Sequence, residues 1–345
     1  MTRSVYEKLR LLLDRHPIGC PPAPEIIEIL KILFTKEEAK VALGLGFHPA
    51  PADEIAECVG INGEETKRRL ESLAAKGMVF TRDKKGVRGY ALSPIIALYE
   101  RPYMKGIHTE TLKKLTPLWK SYLPHAVEAL GKSRTSITRV IPIEEKIEFT
   151  PDVLTFDKIN EMIDKAHVVG IAHCACREME QKCDAPREAC MLFDATCTFL
   201  VERGFGRYLT KEEMRQKLRS FDEFGLIHQA NNTRDRLTLI CNCCSCCCSF
   251  LKAVASSSFI PVNDPEKCGG CGTCADQRCS MKAINMVDDK PVVAIERCIG
   301  CGLCASGCSN NALKMQKQFG IPEPPADFSE MADRILQNQG KADSL

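Results

Sequence analysis

The chain carries one cysteine motif twice, as Cys268-Gly-Gly-Cys-Gly-Thr-Cys-Ala-Asp-Gln-Arg-Cys279 and as Cys298-Ile-Gly-Cys-Gly-Leu-Cys-Ala-Ser-Gly-Cys308. In each copy three cysteines are two residues apart, and a fourth follows after four residues in the first copy and three in the second. The glycines between the cysteines allow tight turns whose backbone N–H groups can face a bound cluster. This internal repeat predicts two similar metal sites.

The repeated motif resembles the bacterial two-cluster ferredoxin, in which C-x2-C-x2-C-x3-C is followed by proline and the last cysteine of each copy serves the other cluster. The resemblance implies two [4Fe–4S] clusters, one held by Cys268, Cys271, Cys274 and Cys308 and the other by Cys298, Cys301, Cys304 and Cys279. The chain departs from the family pattern by one extra residue in the first copy and by Ser280 and Ser309 in place of proline. We expect the extra residue to reshape one loop without removing a ligand.

Zinc is the alternative at this repeat, because C-x2-C pairs also suit a tetrahedral zinc ion. Eight cysteines in the crossed register, without a supporting histidine, favour iron and sulfide. Strand-like segments at 283–287 and 292–295, around the turn Asp288-Asp289-Lys290, complete a predicted ferredoxin-like domain at residues 259–316.

A second concentration of cysteines lies in residues 151–258, as five between Cys174 and Cys197 and six between Cys241 and Cys248. Because a four-iron cluster accepts four thiolates, these eleven cysteines predict one or two further iron–sulfur clusters with thiols to spare. So tight a run can also direct alternating thiolates to two metal centres on opposite sides of the chain. The predicted ligands are Cys174, Cys176, Cys183, Cys190, Cys241, Cys243, Cys244, Cys246, Cys247 and Cys248. Two alternatives stay open: a zinc or copper thiolate knot, and buried cysteines that act as small hydrophobic side chains.

Three other residues of this module bear on the prediction. Arg177 is expected to donate hydrogen bonds to a cluster or to stabilise thiolate charge, whereas His173 and His228 are expected to be structural rather than ligands. The layout of residues 135–315 also resembles iron–sulfur proteins of anaerobes in which a cysteine-rich module precedes a two-cluster ferredoxin. That resemblance implies electron transfer.

The first 95 residues predict a different kind of module. Helical spacing covers residues 1–35 with a break at Pro17–Pro24, a short helix ends at Gly60, and a longer helix begins at Asn62. Two strands, 78–80 and 90–92, flank a basic turn at Thr81–Gly89. This order resembles the winged helix-turn-helix modules of prokaryotic regulators.

The winged-helix resemblance implies DNA contacts by two sets of residues. They are Thr66, Lys67, Arg68 and Arg69 on the second helix, and Arg82, Lys84, Lys85 and Arg88 in the wing. From Gly60 to Tyr90, eight Lys and Arg against four Asp and Glu leave a local charge of only +4. A DNA-binding module needs a clearer basic footprint, so we expect DNA to be a less favoured partner than protein.

Composition limits the class of protein. The 345 residues carry 47 Lys and Arg against 45 Asp and Glu, and the net charge of +2 gives no global field that points to nucleic acid or an acidic membrane. The most apolar run, Leu237–Ala255, includes Asn242 and Lys252, so no membrane insertion is expected. No secretory signal is readable at the N-terminus, and clustered thiols that stay reduced indicate a cytoplasmic location.

The expected fold class is α+β, with an N-terminal winged helix-turn-helix, a central mixed cysteine-rich module and a C-terminal ferredoxin-like domain. The expected boundaries are 1–95, a connector at 96–150, 151–258, 259–316, and a tail or helix at 317–345. The favoured function is an electron-transfer protein or subunit that serves a redox partner protein or oxidoreductase complex, without catalytic residues of its own. The alternatives are a redox-responsive winged-helix regulator and a reductase with an irregular catalytic cluster in the central module.

Overall fold

The computed structural model describes residues 3–142, 147, 158–318 and 320–340. Within them the chain is a mixture of helices and small antiparallel sheets, which agrees with the predicted α+β class. No helix in these ranges is long and apolar enough to cross a membrane.

The N-terminal part is mainly helical. Its helices are α1 (Val5–Asp14), α2 (Pro24–Leu33), α3 (Lys36–Ala42), α4 (Ala52–Val59), α5 (Gly63–Ala75), α6 (Ile95–Met104) and α7 (Glu110–Gly131). Capping boxes start α1 at Ser4 and α3 at Thr35, and Gly60 ends α4 in the left-handed conformation. Helices α6 and α7 bury their apolar faces in the same core as α1–α5, around the fully buried Trp119.

Three strands complete this part: β1 (Ala50–Pro51), β2 (Val79–Lys84) and β3 (Val87–Leu92), in the sheet order β1-β3-β2. The predicted basic turn at Thr81–Gly89 is wrong in extent, because both strands continue through most of it. The connection is only Lys85 and Gly86, with φ of 52° and 78°. Positive φ at both positions matches the twist of a two-residue hairpin, so the strands stay paired up to the turn.

The central part is built on a six-stranded antiparallel sheet in the order β4-β8-β9-β6-β5-β7. Its strands are β4 (Thr138–Val140), β5 (Val169–His173), β6 (Glu188–Phe193), β7 (Gly206–Leu209), β8 (Ile227–Asn231) and β9 (Leu239–Cys243). Its helices are α8 (Ile159–Lys165), α9 (Ala175–Glu180), α10 (Asp194–Glu202) and α11 (Lys211–Phe224). A capping box between Thr210 and Glu213 starts α11, and Gly225 ends it with a φ of 90°.

The C-terminal part contains two antiparallel strand pairs. Strand β10 (Phe259–Asn263) pairs with β13 (Leu313–Lys317), and β11 (Ile284–Val287) pairs with β12 (Lys290–Val293). Between the pairs lie a π-helical turn (Cys274–Arg278) and α12 (Leu303–Ser306). The last helix, α13 (Phe328–Asn338), follows, and just beyond it Gln339 donates to the Pro17 carbonyl oxygen at 3.2 Å.

His16 gives the N-terminal part a pH-dependent stability. Its ring packs edge-on against Phe47 with centroids 4.7 Å apart, and its Nδ1 accepts the Ile18 N–H at 3.1 Å. Burial lowers the pKa of His16 from 6.5 to about 4. The folded state therefore excludes a proton that the unfolded state binds, so stability is complete above about pH 6.5 and falls as the pH drops towards about 4.

We expect His16→Asn to flatten this pH dependence, because asparagine can still accept the Ile18 N–H but does not titrate. The urea midpoint of the full chain, followed by Trp119 fluorescence without air between about pH 7 and pH 5, measures the effect. Equal slopes for the variant and the natural protein would contradict the assignment.

Candidate metal centres

The first candidate centre, the outer ferredoxin site, is a cavity lined by thiols from both copies of the motif. These thiols are Cys268, Cys271, Cys274 and Cys308. Cys271 is exposed, and the Thr273 hydroxyl 3.5 Å from its Sγ lowers the pKa of the thiol. The Ala312 N–H donates to Cys308 Sγ at 3.3 Å. The cavity opens beside solvent at the Cys271 edge.

The second centre, the inner ferredoxin site, is the complementary cavity. Its four thiols are Cys279, Cys298, Cys301 and Cys304. Burial raises the pKa of Cys301 to about 12, and Cys304 is only 7% exposed. The Ala283 N–H donates to Cys279 Sγ at 3.1 Å. Four thiols around a cavity, with a backbone donor to one sulfur, are the donor set that a [4Fe–4S] cluster uses, so the residues of both cavities fit such a cluster.

Glycine is required where the inner site approaches β10. Gly300 has a φ of 67°, and a Cβ there would lie 2.2 Å from the Phe259 carbonyl oxygen. Any other residue would push the loop between Cys298 and Cys301 away from the strand. The local sequence thus sets how closely this cavity is held against the sheet.

The extra residue in the first motif has a structural consequence. It is accommodated by the π-helical turn Cys274–Arg278, which carries Arg278 towards the end of α11. There Arg278 donates to the carbonyl oxygens of Asp222 at 2.8 Å and Glu223 at 3.0 Å. Gly307 leaves room for this side chain, since a Cβ would lie 2.5 Å from Arg278 Nε. The insertion therefore links the ferredoxin-type part to the central part.

The third centre, the buried thiol group, collects six central cysteines. They are Cys174, Cys176, Cys190, Cys241, Cys243 and Cys248. Cys190 and Cys241 are direct partners on β6 and β9, and Cys243 lies on the same face of β9 as Cys241 because side chains alternate along a strand. The neighbouring thiols lower the pKa of Cys248 to about 5, with the larger effect from Cys176 and the smaller from Cys243.

Helix α6 closes this group from the N-terminal side. Tyr99 interacts with Cys176, Glu100 with Cys241, and Arg101 with Cys190. Burial raises the pKa of Glu100 to about 7. Residues 96–150 were expected to form only a connector, yet a Glu-Arg pair inside the otherwise apolar α6 lies beside these thiols.

The fourth centre, the four-thiol site, consists of Cys183, Cys244, Cys246 and Cys247, whose Sγ atoms all lie within 4.8 Å of one another. Cys183 Sγ is 3.7 Å from both Cys244 Sγ and Cys247 Sγ, and Cys246 and Cys247 Sγ are 3.8 Å apart. Cys183 precedes β6, and the other three follow β9. The run Cys241–Cys248 is therefore divided between two centres.

Arg177 lies beside both central groups. It is fully buried, and its Nη1 donates to the Asn242 carbonyl oxygen at 2.8 Å. Its Nε and Nη2 have no hydrogen-bond partner among the described residues. Burial opposes its charge, yet the thiols of Cys174 and Cys244 raise the pKa of Arg177. A buried guanidinium with unused donors fits anionic thiolates, so the arrangement suits deprotonated, metal-bound cysteines.

The remaining side chains that the sequence singled out are held by protein groups. His173 Nδ1 is 2.8 Å from Glu178 Oε1, and His228 Nδ1 is 2.7 Å from Asn242 Oδ1. Cys197 lies on the buried face of α10, where burial raises the pKa of its thiol to about 12. It stands apart from the four centres, as a small core residue does.

Comparison with known proteins identifies one part of the chain. No curated protein matches the chain, and no solved structure does. Residues 260–309 match the 4Fe-4S dicluster domain family. This segment contains all eight cysteines of the two ferredoxin sites and ends before β13. The C-terminal part of the chain is therefore similar to a domain that carries two iron–sulfur clusters.

Proposed function

We propose that the protein transfers electrons through several iron–sulfur clusters to or from a partner oxidoreductase. The observation that carries the proposal is the pair of cavities at the outer and inner ferredoxin sites, each lined by four cysteines of the repeated motif. Side chains of the inner site also pack in one hydrophobic core with the buried thiol group. In this proposal Cys268, Cys271, Cys274 and Cys308 ligate the outer cluster, and Cys279, Cys298, Cys301 and Cys304 ligate the inner one. When bound, such clusters supply one-electron chemistry.

The packing supports a continuous series of centres. Cys301, Ile299 and Leu303 from the inner ferredoxin site pack in one hydrophobic cluster with Cys243 and Cys248 of the buried thiol group. A second cluster brings Cys279 and Cys304 of the inner site together with Cys274 and Cys308 of the outer site. These apolar contacts hold neighbouring centres together and keep water from the spaces between them.

The three centres of this series differ in how exposed their thiols are, with the most exposed thiol at the outer ferredoxin site. The buried thiol group lies under α6. In the inner ferredoxin site Cys304 is buried and the other three thiols are partly buried, whereas Cys271 of the outer site is exposed. The hairpin β11–β12 lines the outer cavity with Met286 and Pro291, and on its other face Val287 and Val292 are about half exposed, at 52% and 49%. An apolar surface beside the most exposed centre is where we propose that a redox partner docks.

In the proposal, the buried thiol group holds at least one further iron–sulfur cluster. Its six thiols exceed the four that a cubane needs, and Arg177 places a cation beside them. In this proposal α6 shields the centre from solvent, and its Glu100–Arg101 pair places one acidic and one basic side chain beside the thiols of Cys241 and Cys190.

The proposal is tested on the full chain purified without air. We expect at least about eight irons with matching sulfide per chain, a broad visible absorption that bleaches on reduction, and paramagnetic signals in the reduced state. The reduced protein should then pass electrons to a one-electron acceptor protein. A colourless, spin-silent preparation that holds only zinc would overturn the proposal.

The N-terminal part supports a second candidate, a redox-responsive regulator. Helix α3, β1, α4, α5, β2 and β3 follow one another in the order of a winged helix, with the matching sheet order β1-β3-β2. Three of its seven expected DNA-contacting cations are paired with acidic side chains, however: Arg68 and Arg69 both pair with Glu65, and Arg88 pairs with Asp83 and Glu71. We therefore favour a protein-docking role, and a salt-dependent shift of DNA fragments would favour the regulator instead.

A further inference from the structure

The four-thiol site has the dimensions of a centre for a single metal ion. Four ligands at about 2.3 Å from one tetrahedral ion lie about 3.8 Å from one another. Three of the six Sγ–Sγ distances among Cys183, Cys244, Cys246 and Cys247 are 3.7, 3.7 and 3.8 Å, and all six are within 4.8 Å. Among the described residues, this is the one group of three or more metal-binding side chains that meets that limit.

The two ferredoxin sites differ from the four-thiol site in how far apart their sulfur atoms lie. In a cubane each thiolate binds a different iron at a separate corner, so the four sulfurs lie further apart than four sulfurs around one ion. The eight ferredoxin-type cysteines accordingly surround cavities instead of meeting one another. The four-thiol site leaves no such central space, since its sulfurs are already in mutual contact range.

Local structure explains how these sulfurs converge. Strand β9 directs Cys241 and Cys243 to the buried thiol group, and the next residue, Cys244, faces the opposite way. The turn after β9 then returns Cys246 and Cys247 to the same point, with the Cys248 N–H bonded to the Cys244 carbonyl oxygen at 3.1 Å. Cys183 comes from the turn between α9 and β6, which Arg187 holds by donating to the Cys183 carbonyl oxygen at 3.4 Å.

The ligand chemistry selects zinc. Four thiolates in a closed tetrahedral set are a common structural zinc site, and zinc binds such ligands more tightly than ferrous iron does. No position is left for water or substrate, which fits a structural rather than a catalytic ion. Arg177 supplies a cation beside Cys244, which offsets part of the charge of four thiolates on one divalent ion.

We infer that Cys183, Cys244, Cys246 and Cys247 bind one Zn²⁺ ion, separate from the iron–sulfur centres. This ion ties the turn after β9 to the turn before β6. It thereby holds the backbone that presents Cys241, Cys243 and Cys248 to the buried thiol group. The chain thus uses two kinds of metal site, in which iron–sulfur clusters transfer electrons and a zinc ion stabilises the local structure.

The test measures metals in the full chain purified without air. We expect about one zinc per chain in the natural protein, and a fall of at least about tenfold in zinc in Cys246→Ser and in Cys183→Ser. Cys246 is exposed, so its substitution leaves the core intact. The matched control is Cys58→Ser, an exposed cysteine on α4 that belongs to no centre. Replacement of zinc by Co²⁺ should add the visible bands of a tetrahedral tetrathiolate in the control and not in Cys246→Ser.

The outcomes separate this inference from the proposed function. Zinc loss with iron retained supports the zinc site, whether or not the iron transfers electrons. Absence of zinc from the natural protein, loss of iron in place of zinc in Cys246→Ser, or zinc unchanged in both variants would overturn it. Trp119 fluorescence reports whether each variant keeps its N-terminal core.

Discussion

Replacing Cys301 by serine is expected to remove the inner cluster, with a loss of about four irons per chain. Cys301 is one of four thiols around the inner cavity, and it also belongs to the group of apolar side chains that contains Cys243 and Leu303. A serine hydroxyl binds iron poorly compared with a thiolate, and only three of the thiols that line the cavity would then remain to hold the cluster. Iron and sulfide analysis of the protein purified without air measures the loss.

The same variant should separate the centres on either side of it. Cys301→Ser leaves the outer site intact but breaks the packed series between it and the buried thiol group, so electron delivery to an acceptor should fall by more than about tenfold. Cys271→Ser should also cost one cluster, yet it removes the exposed end of the series instead. The control is Cys58→Ser. If iron content is unchanged in Cys301→Ser, the ligand assignment is wrong.

Arg177→Met is expected to abolish metal binding in the central part. Arg177 is fully buried, and its unused Nε and Nη2 donors lie among thiols of both central groups. Without its charge, the thiolates of Cys174 and Cys244 would lose the buried cation beside them, at a cost of about 3 kcal/mol, or roughly a hundredfold in metal affinity. Methionine fills a similar volume, so the loss of charge is the main change.

The measurement compares central metal with ferredoxin-site iron in one preparation. We expect Arg177→Met to keep the eight irons of the ferredoxin sites and to lose the remaining metal. Arg177→Lys keeps a charge but cannot donate in two directions from a planar group, so it should retain an intermediate amount. Central metal that stays at the natural level in Arg177→Met would contradict the role assigned to this residue.

Much of the secondary structure could be predicted because its signals are local. The capping box at Thr210 and Glu213 and the glycine at Gly225 mark both ends of α11 without reference to any other element. The hairpin β2–β3 shows the limit of such signals. The exposed residues Arg82, Asp83 and Lys84 look like a loop, yet pairing across to Gly89, Arg88 and Val87 keeps them extended.

The role of α6 could not be predicted from the sequence. Glu100 and Arg101 are ordinary surface residue types, and nothing near them in the chain is a metal ligand. They reach the thiols of Cys241 and Cys190 only because α6 packs against the cysteine-bearing end of the central sheet. Contacts between residues so far apart in the chain leave no periodic or spacing signal.

The sequence alone indicated two similar thiol sites near the C-terminus, because a repeated motif with short spacings constrains its own backbone, and the resemblance to two-cluster ferredoxins implied how its eight sulfurs divide. It could not determine how the central cysteines divide, since one run of six thiols in eight residues is compatible with several groupings. The tertiary structure decided that division. Side chains of β9 alternate between opposite faces of the sheet. Pairing of β9 with β6 places Cys190 of β6 near the cysteines on one face and Cys183, which precedes β6, near those on the other.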